Sequence, residues 1–107
     1  MSEVNLTVNA GACQFKTKIR AAVSDDYMTV SLNIVSDCPN VTKLAELIKT
    51  VDSMKSTSEP MLFDNCILQA CNGVIPHNAC PVPCGIIKAC EASTGAALKK
   101  PVTFTYE

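Results

Sequence analysis

Three early stretches of the chain alternate apolar and polar residues with period two, which predicts strands. Val4, Leu6 and Val8 share one face of the first. Cys13, Phe15, Ile19, Ala21 and Val23 share one face of the second, interleaved with Gln14, Lys16, Lys18 and Arg20. Met28, Val30, Leu32 and Ile34 continue the alternation opposite Thr29, Ser31 and Asn33. Ala10-Gly11-Ala12 and Ser24-Asp25-Asp26-Tyr27 read as the two connections. The period then changes. Val41, Leu44, Ala45, Ile48 and Val51 follow helical spacing behind Pro39, a residue suited to the first helical position. Lys55 to Pro60 is polar and loop-like, and Asp64 to Asn72 reads as a shorter helix stopped by Gly73. Pro81 and Pro83 open a last helix through Ile86, Ile87 and Cys90, ending near Gly95, after which Val102, Phe104 and Tyr106 alternate as a closing strand. The predicted fold is α+β in the order βββαααβ: a three-strand antiparallel meander plus a C-terminal strand, with two to three helices packed on one face. Residues 1–107 are expected to form a single domain.

Composition narrows the function. A net charge of −1 and dispersed Lys and Arg leave little for phosphate neutralisation, so no nucleic-acid partner is expected. No apolar run approaches the roughly 20 residues of a membrane span, and Met1 to Asn5 lacks the basic and apolar regions of a signal peptide. The expectation is a cytoplasmic protein with no membrane partner. Seven cysteines are heavy usage for a reducing compartment, where they signify metal ligation, redox chemistry or core filling rather than permanent disulfides.

The hairpin turn, centred on Asp25-Asp26, sets a register in which facing residue numbers sum to about 51. Val23 then faces Met28, Ala21 faces Val30, Ile19 faces Leu32, and Cys13 faces Cys38 at the open end. Directly opposed residues have Cβ atoms roughly 4.5–5.5 Å apart. Cys38 precedes Pro39 and Cys80 precedes Pro81, so both thiols stand where a helix begins, a setting that favours the thiolate. Cys84 falls in the first turn of the last helix. If that helix start docks over the Cys13–Cys38 end of the sheet, four sulfurs converge.

Each thiol has a plainer reading. Cys13 and Cys38 also fit core-face filling or a cross-strand disulfide, and Cys80 fits helix-start structure. Cys66 and Cys71 lie about 140° apart in helical projection, unsuited to sharing one ion; Cys66 is the substitute fourth ligand if Cys84 is not, and Cys71 joins the apolar stripe of Ile67, Ala70 and Val74. Cys90 reads as core and His77 as a solvated loop residue. The candidate metal ligands are therefore Cys13, Cys38, Cys80, Cys84 and Cys66. Thiolates select an iron–sulfur cluster or zinc, with the cluster ranked ahead, although neither a zinc-ribbon pair nor a ferredoxin run is present.

"GACQF", "SDC" and above all "ACPVPCGIIKACEASTGAAL" followed by "PVTF" resemble an uncharacterised family of small cysteine-containing proteins from anaerobic bacteria and methanogenic archaea. The resemblance spans nearly the whole chain. It implies that Cys13, Cys38 and Cys80 match motif cysteines, with a further cysteine before the Cys-Pro-Val-Pro segment. It also implies that position 84 is commonly small, which raises Cys66 or Cys71. It implies an anaerobic setting and no substrate.

Three functions follow as expectations. One is a non-catalytic thiolate centre for electron transfer, cluster carriage or sensing, with a redox or cluster-transfer protein as partner. Another is a thiol redox protein using Cys80 or Cys84. The last is a structural domain with incidental cysteines. No acid–base pair or nucleophile–histidine arrangement argues for an enzyme. The sequence leaves the oligomeric state open.

Overall fold

The computed structural model describes residues 3–107; Met1 and Ser2, on which part of the signal-peptide reading rests, lie outside the described residues. Four strands form one antiparallel sheet in the order β1 (Glu3–Asn9), β2 (Lys16–Val23), β3 (Thr29–Ser36) and β4 (Thr50–Asp52). Helix α1 (Pro39–Leu47) lies between β3 and β4, and α2 (Cys66–Cys71) and α3 (Val82–Thr94) follow. The alternation predicted from the sequence sends Val4, Val8, Ile19, Ala21, Val23, Val30 and Leu32 into one buried layer against the helices. Leu44, Ile67 and Ile86, one from each helix, are fully buried from the other side. The opposite face carries Lys18, Arg20 and Asn33 to solvent.

The structure corrects the predicted order. β4 replaces the end of the predicted first helix: the helix stops at Leu47, and β-branched Thr50 and Val51 pair with Ser31 and Val30. The closing strand is not formed, since residues 98–107 carry no helix or strand and Phe104 and Tyr106 are almost fully exposed. Alternation shows that a segment can be a strand; it supplies no edge for it to pair with.

The β2–β3 register also differs. Val23 faces Val30, Ala21 faces Leu32 and Ile19 faces Ile34, so facing numbers sum to 53. The turn is longer than two residues. Ser24 N–H donates to the Thr29 carbonyl (2.8 Å), Asp26 accepts from Ser24 Oγ and Met28 N–H, and Tyr27 takes a left-handed φ of 61°. Met28 is thereby left in the loop, and Cys13 and Cys38 are not cross-strand partners. Cys13 leaves the strand for the same kind of reason. Gly11 (φ 83°) and Gln14 (φ 59°) both turn left-handed, making a wide loop that delays β2 to Lys16.

Helix α2 is capped by Asn65, one residue beyond the predicted Asp64. The Asn65 side chain accepts from Ile67 N–H (2.8 Å) and Leu68 N–H (3.3 Å), while its Nδ2 donates to the Ser56 carbonyl (2.9 Å). Asn65 is buried, so the amide ties α2 to the preceding loop out of water. Asn65→Ala is expected to cost about 2 kcal/mol, a lost cap plus an unpaired buried carbonyl. Urea unfolding checks this, and Asn65→Asp should restore the cap while losing the Ser56 bond.

Candidate functional site: a rim of thiols

β1 ends, β2 begins and β3 ends at one edge of the molecule, here called the rim. Helix α3 starts over that rim. A Cβ placed on Gly85 would lie 2.5 Å from Val8 Cγ2 and 3.6 Å from Ile19 Cδ1, so the bare backbone of glycine lets the first turn of α3 sit directly on the ends of β1 and β2. The helix start thus lies over the β1–β2 part of that end of the sheet, but the convergence of four sulfurs expected from such docking is not seen among the described residues. Helix α2 packs against α3, with Cys71 within charge–charge range of Cys80 and Cys66 within that of Cys90.

Five of the seven cysteines lie on segments that lead to or from this end of the molecule. Cys13 is exposed in the β1–β2 loop. Cys38 is the N-cap residue of α1, half-buried against the core; its N–H donates to Ser36 Oγ (3.0 Å) and its carbonyl accepts from Thr42 Oγ1 (3.0 Å). Ser36 Oγ also bonds buried Thr17 Oγ1 at 2.7 Å, so the start of α1 is tied to the last pair of the β2–β3 ladder. Cys71 closes α2 and is buried. Cys80 is half-buried just ahead of α3, in a turn held by its N–H to the His77 carbonyl (3.2 Å), and Cys84 is exposed in the first turn of the helix. His77 itself is exposed.

The remaining two lie elsewhere. Cys66 is half-buried and Cys90 fully buried at the other end of the α2–α3 pair, near Asp52, Lys55 and Ser56. All seven are free thiols. Among the described residues, no three His, Cys, Asp or Glu side chains are grouped closely enough to hold a metal ion as they stand.

The residues themselves read Cys71 as core, and only the family resemblance raised it as a candidate ligand. A helical projection treats α2 in isolation and shows Cys71 in an apolar stripe, which is true. It does not show that the short connection from 72 to 79 folds back and returns the chain to the same place. Burial pushes the Cys71 thiol up to about 11, and a charge on Cys80 adds to the effect. Cys90 is pushed up to about 11 chiefly by burial, with a Ser56 hydrogen bond opposing. Burial first, and Asp52 second, also raise Cys66.

These shifts make the stability of the fold depend on alkaline pH. A thiol whose pKa is higher folded than unfolded holds its proton longer in the native state, so its contribution is complete below about pH 9 and is lost as pH rises towards about 11. Chemical unfolding between these limits is expected to show stability falling by a few kcal/mol, on the order of 2 per buried thiol. Cys90→Ala should flatten that slope, and an unchanged slope would contradict the assignment.

Away from the rim, a shallow depression on the open sheet face is lined by Asn5, Thr7, Lys18, Arg20, Asn33 and Val35. It lies across the sheet from the cysteines and holds no acid–base pair. Every buried side-chain nitrogen or oxygen among the described residues is hydrogen-bonded. No helix among those residues is long and apolar enough to cross a membrane. No curated protein and no solved structure matches the chain. A family model matches residues 4–106, from the first strand almost to the last residue. The chain belongs to a family of unknown function, DUF6951.

Proposed function

We propose that the rim is a thiolate site for a soft metal centre, an iron–sulfur cluster or zinc, used for electron transfer, cluster carriage or sensing with a protein partner. What supports this reading is that chain-distant cysteines lie on segments that reach the same end of the sheet: Cys13, Cys38, Cys71, Cys80 and Cys84 come from a loop, a helix cap, a helix end, a turn and a helix start. The donor set is sulfur only, which suits a thiophilic cation and not magnesium or calcium.

Cys71 and Cys80 form the nucleus of the site. The raised pKa of Cys71 keeps it protonated at neutral pH, so binding a cation there expels a proton. Cys13 and Cys38 are the ligands that would join this pair, Cys13 from an exposed loop. Cys84 is a spare donor on the solvent side, and Cys66, beside Cys90, stands outside this set. Among the described residues no three donors are grouped as they stand, so metal binding at the rim would require these segments to move together.

The test is element-resolved metal analysis and visible absorption of protein prepared without oxygen and incubated with zinc, or with iron and sulfide. The expected result is a stoichiometric metal content, with sulfur-to-iron charge-transfer absorption if a cluster assembles. Folded protein that takes up neither refutes the reading. Reversible oxidation of Cys80 in such metal-free protein would favour a thiol redox role instead.

A further inference from the structure

The segment Val102-Thr103-Phe104-Thr105-Tyr106 consists entirely of strong strand formers, apolar and polar in strict alternation. Yet it forms no strand pairing with any of the described residues of its own chain. Val102 is 55 % exposed, Phe104 88 % and Tyr106 101 %, so the apolar half of this arm stands in water. The family match runs to residue 106, so the arm belongs to the part of the chain that the family shares.

The same molecule carries an edge that lacks a neighbour. β1 is the outer strand of the sheet, and its seven residues pair with β2 in unbroken register from Glu3–Ala22 to Asn9–Lys16. One row of backbone N–H and C=O groups along β1 is therefore unpaired. Natural edges are blunted by bulges, proline, lysine or brevity. β1, Glu-Val-Asn-Leu-Thr-Val-Asn, has none of these. The other edge, β4, is only three residues long. At the β1 edge, Leu6 packs on the core but remains half-buried, although its partner Ile19 is 2 % exposed. The apolar layer under α3 thus stops one strand short of cover.

We propose that the Val102–Tyr106 arm of one copy adds as a strand to the β1 edge of a second copy, and reciprocally, forming a symmetric dimer. A strand there sends Val102, Phe104 and Tyr106 to one face and the two threonines to the other. With the apolar set turned to the helix side, it continues the Val4–Leu6–Val8 layer and covers Leu6. Exchange between copies, rather than pairing within one, fits an arm that stands clear of its own sheet. Reciprocity closes the assembly and leaves neither arm nor edge exposed. Burying one Phe or Tyr removes about 150–250 Å² from water. Four such residues across the dimer, with the surface they cover, reach the range of about 1,200–2,000 Å² typical of specific interfaces. This inference is independent of the metal reading.

Sedimentation equilibrium and amide hydrogen exchange on the full chain test it, beside the double variant Phe104→Asp/Tyr106→Asp. The full chain is expected to be a dimer whose amides at Thr103 to Tyr106 and along Glu3–Asn9 gain protection with concentration. The double variant should keep its far-ultraviolet spectrum and associate at least about 100-fold more weakly. A full chain that stays monomeric overturns the proposal, whether its arm is protected or not. So does a dimer that the double variant leaves intact.

Discussion

Gly85→Val is expected to destabilise the protein by about 3 kcal/mol or more, lowering the thermal midpoint by about 12 °C. The position is helical and buried, where glycine is otherwise a poor choice. It is there because the helix rests on the sheet at that point. Even a lone Cβ would stand 2.5 Å from Val8 Cγ2, the methyl of a β-branched residue in a paired strand with little freedom to turn aside. Valine adds two further methyls to a contact already too close. Gly85→Ala should cost less, because a gain of about 1 kcal/mol in helix propensity offsets part of the clash. The ordering Val worse than Ala worse than Gly, measured by thermal or urea unfolding, checks the claim; an alanine variant more stable than the parent would show that the sheet yields easily. Lifting the start of α3 also carries Cys80 away from Cys71, so metal uptake should fall in the folded fraction of either variant.

The second large effect concerns the thiols. If the rim holds a metal as proposed, Cys71→Ser and Cys80→Ser should each weaken its binding by at least about 100-fold, since removing a ligand is more severe than disturbing its supporting shell. Cys66→Ser serves as the control. It sits on the same short helix, but at the end remote from Cys80, and should leave affinity within a few-fold of the parent. Competition against a chromophoric chelator reads all three, and calorimetry in buffers of different ionisation enthalpy counts the protons released. Equal losses for Cys66→Ser and Cys80→Ser would mean that the rim is not the binding locus.

Much of this architecture is written in the alternation of residues 4 to 36, because a half-buried sheet must place every second side chain in the core. What alternation does not specify is register in steps of two. Moving Ile19 from opposite Leu32 to opposite Ile34 keeps both residues on the same face, so both pairings look equally apolar. The choice was made by the Ser24–Asp26 hydrogen bonds and by Tyr27 turning left-handed, local features with a weak sequence signal. The same step removed the proposed Cys13–Cys38 pairing. Val51 illustrates a second limit, satisfying the helical spacing of α1 and the strand pairing with Val30 alike. The coincidence of prolines and thiols did mark two helix starts, since Cys38 holds the N-cap position of α1 and Cys80 stands one residue before the Pro81 N-cap of α3. Cys71 looked like plain core on its own helix, because its relation to Cys80 depends on how α2 and α3 pack together, not on either helix alone.

The rim itself can be tested without any metal. A trivalent arsenical bridges two thiols only when their sulfurs can reach one arsenic atom, and mass spectrometry after digestion identifies which cysteines were joined. On folded protein kept from oxygen, the bridge is expected between Cys71 and Cys80, with Cys13 or Cys38 captured as minor partners. Arsenic found solely on Cys80 with its helical neighbour Cys84, or on single thiols, would contradict the gathering of distant cysteines on which the functional reading stands.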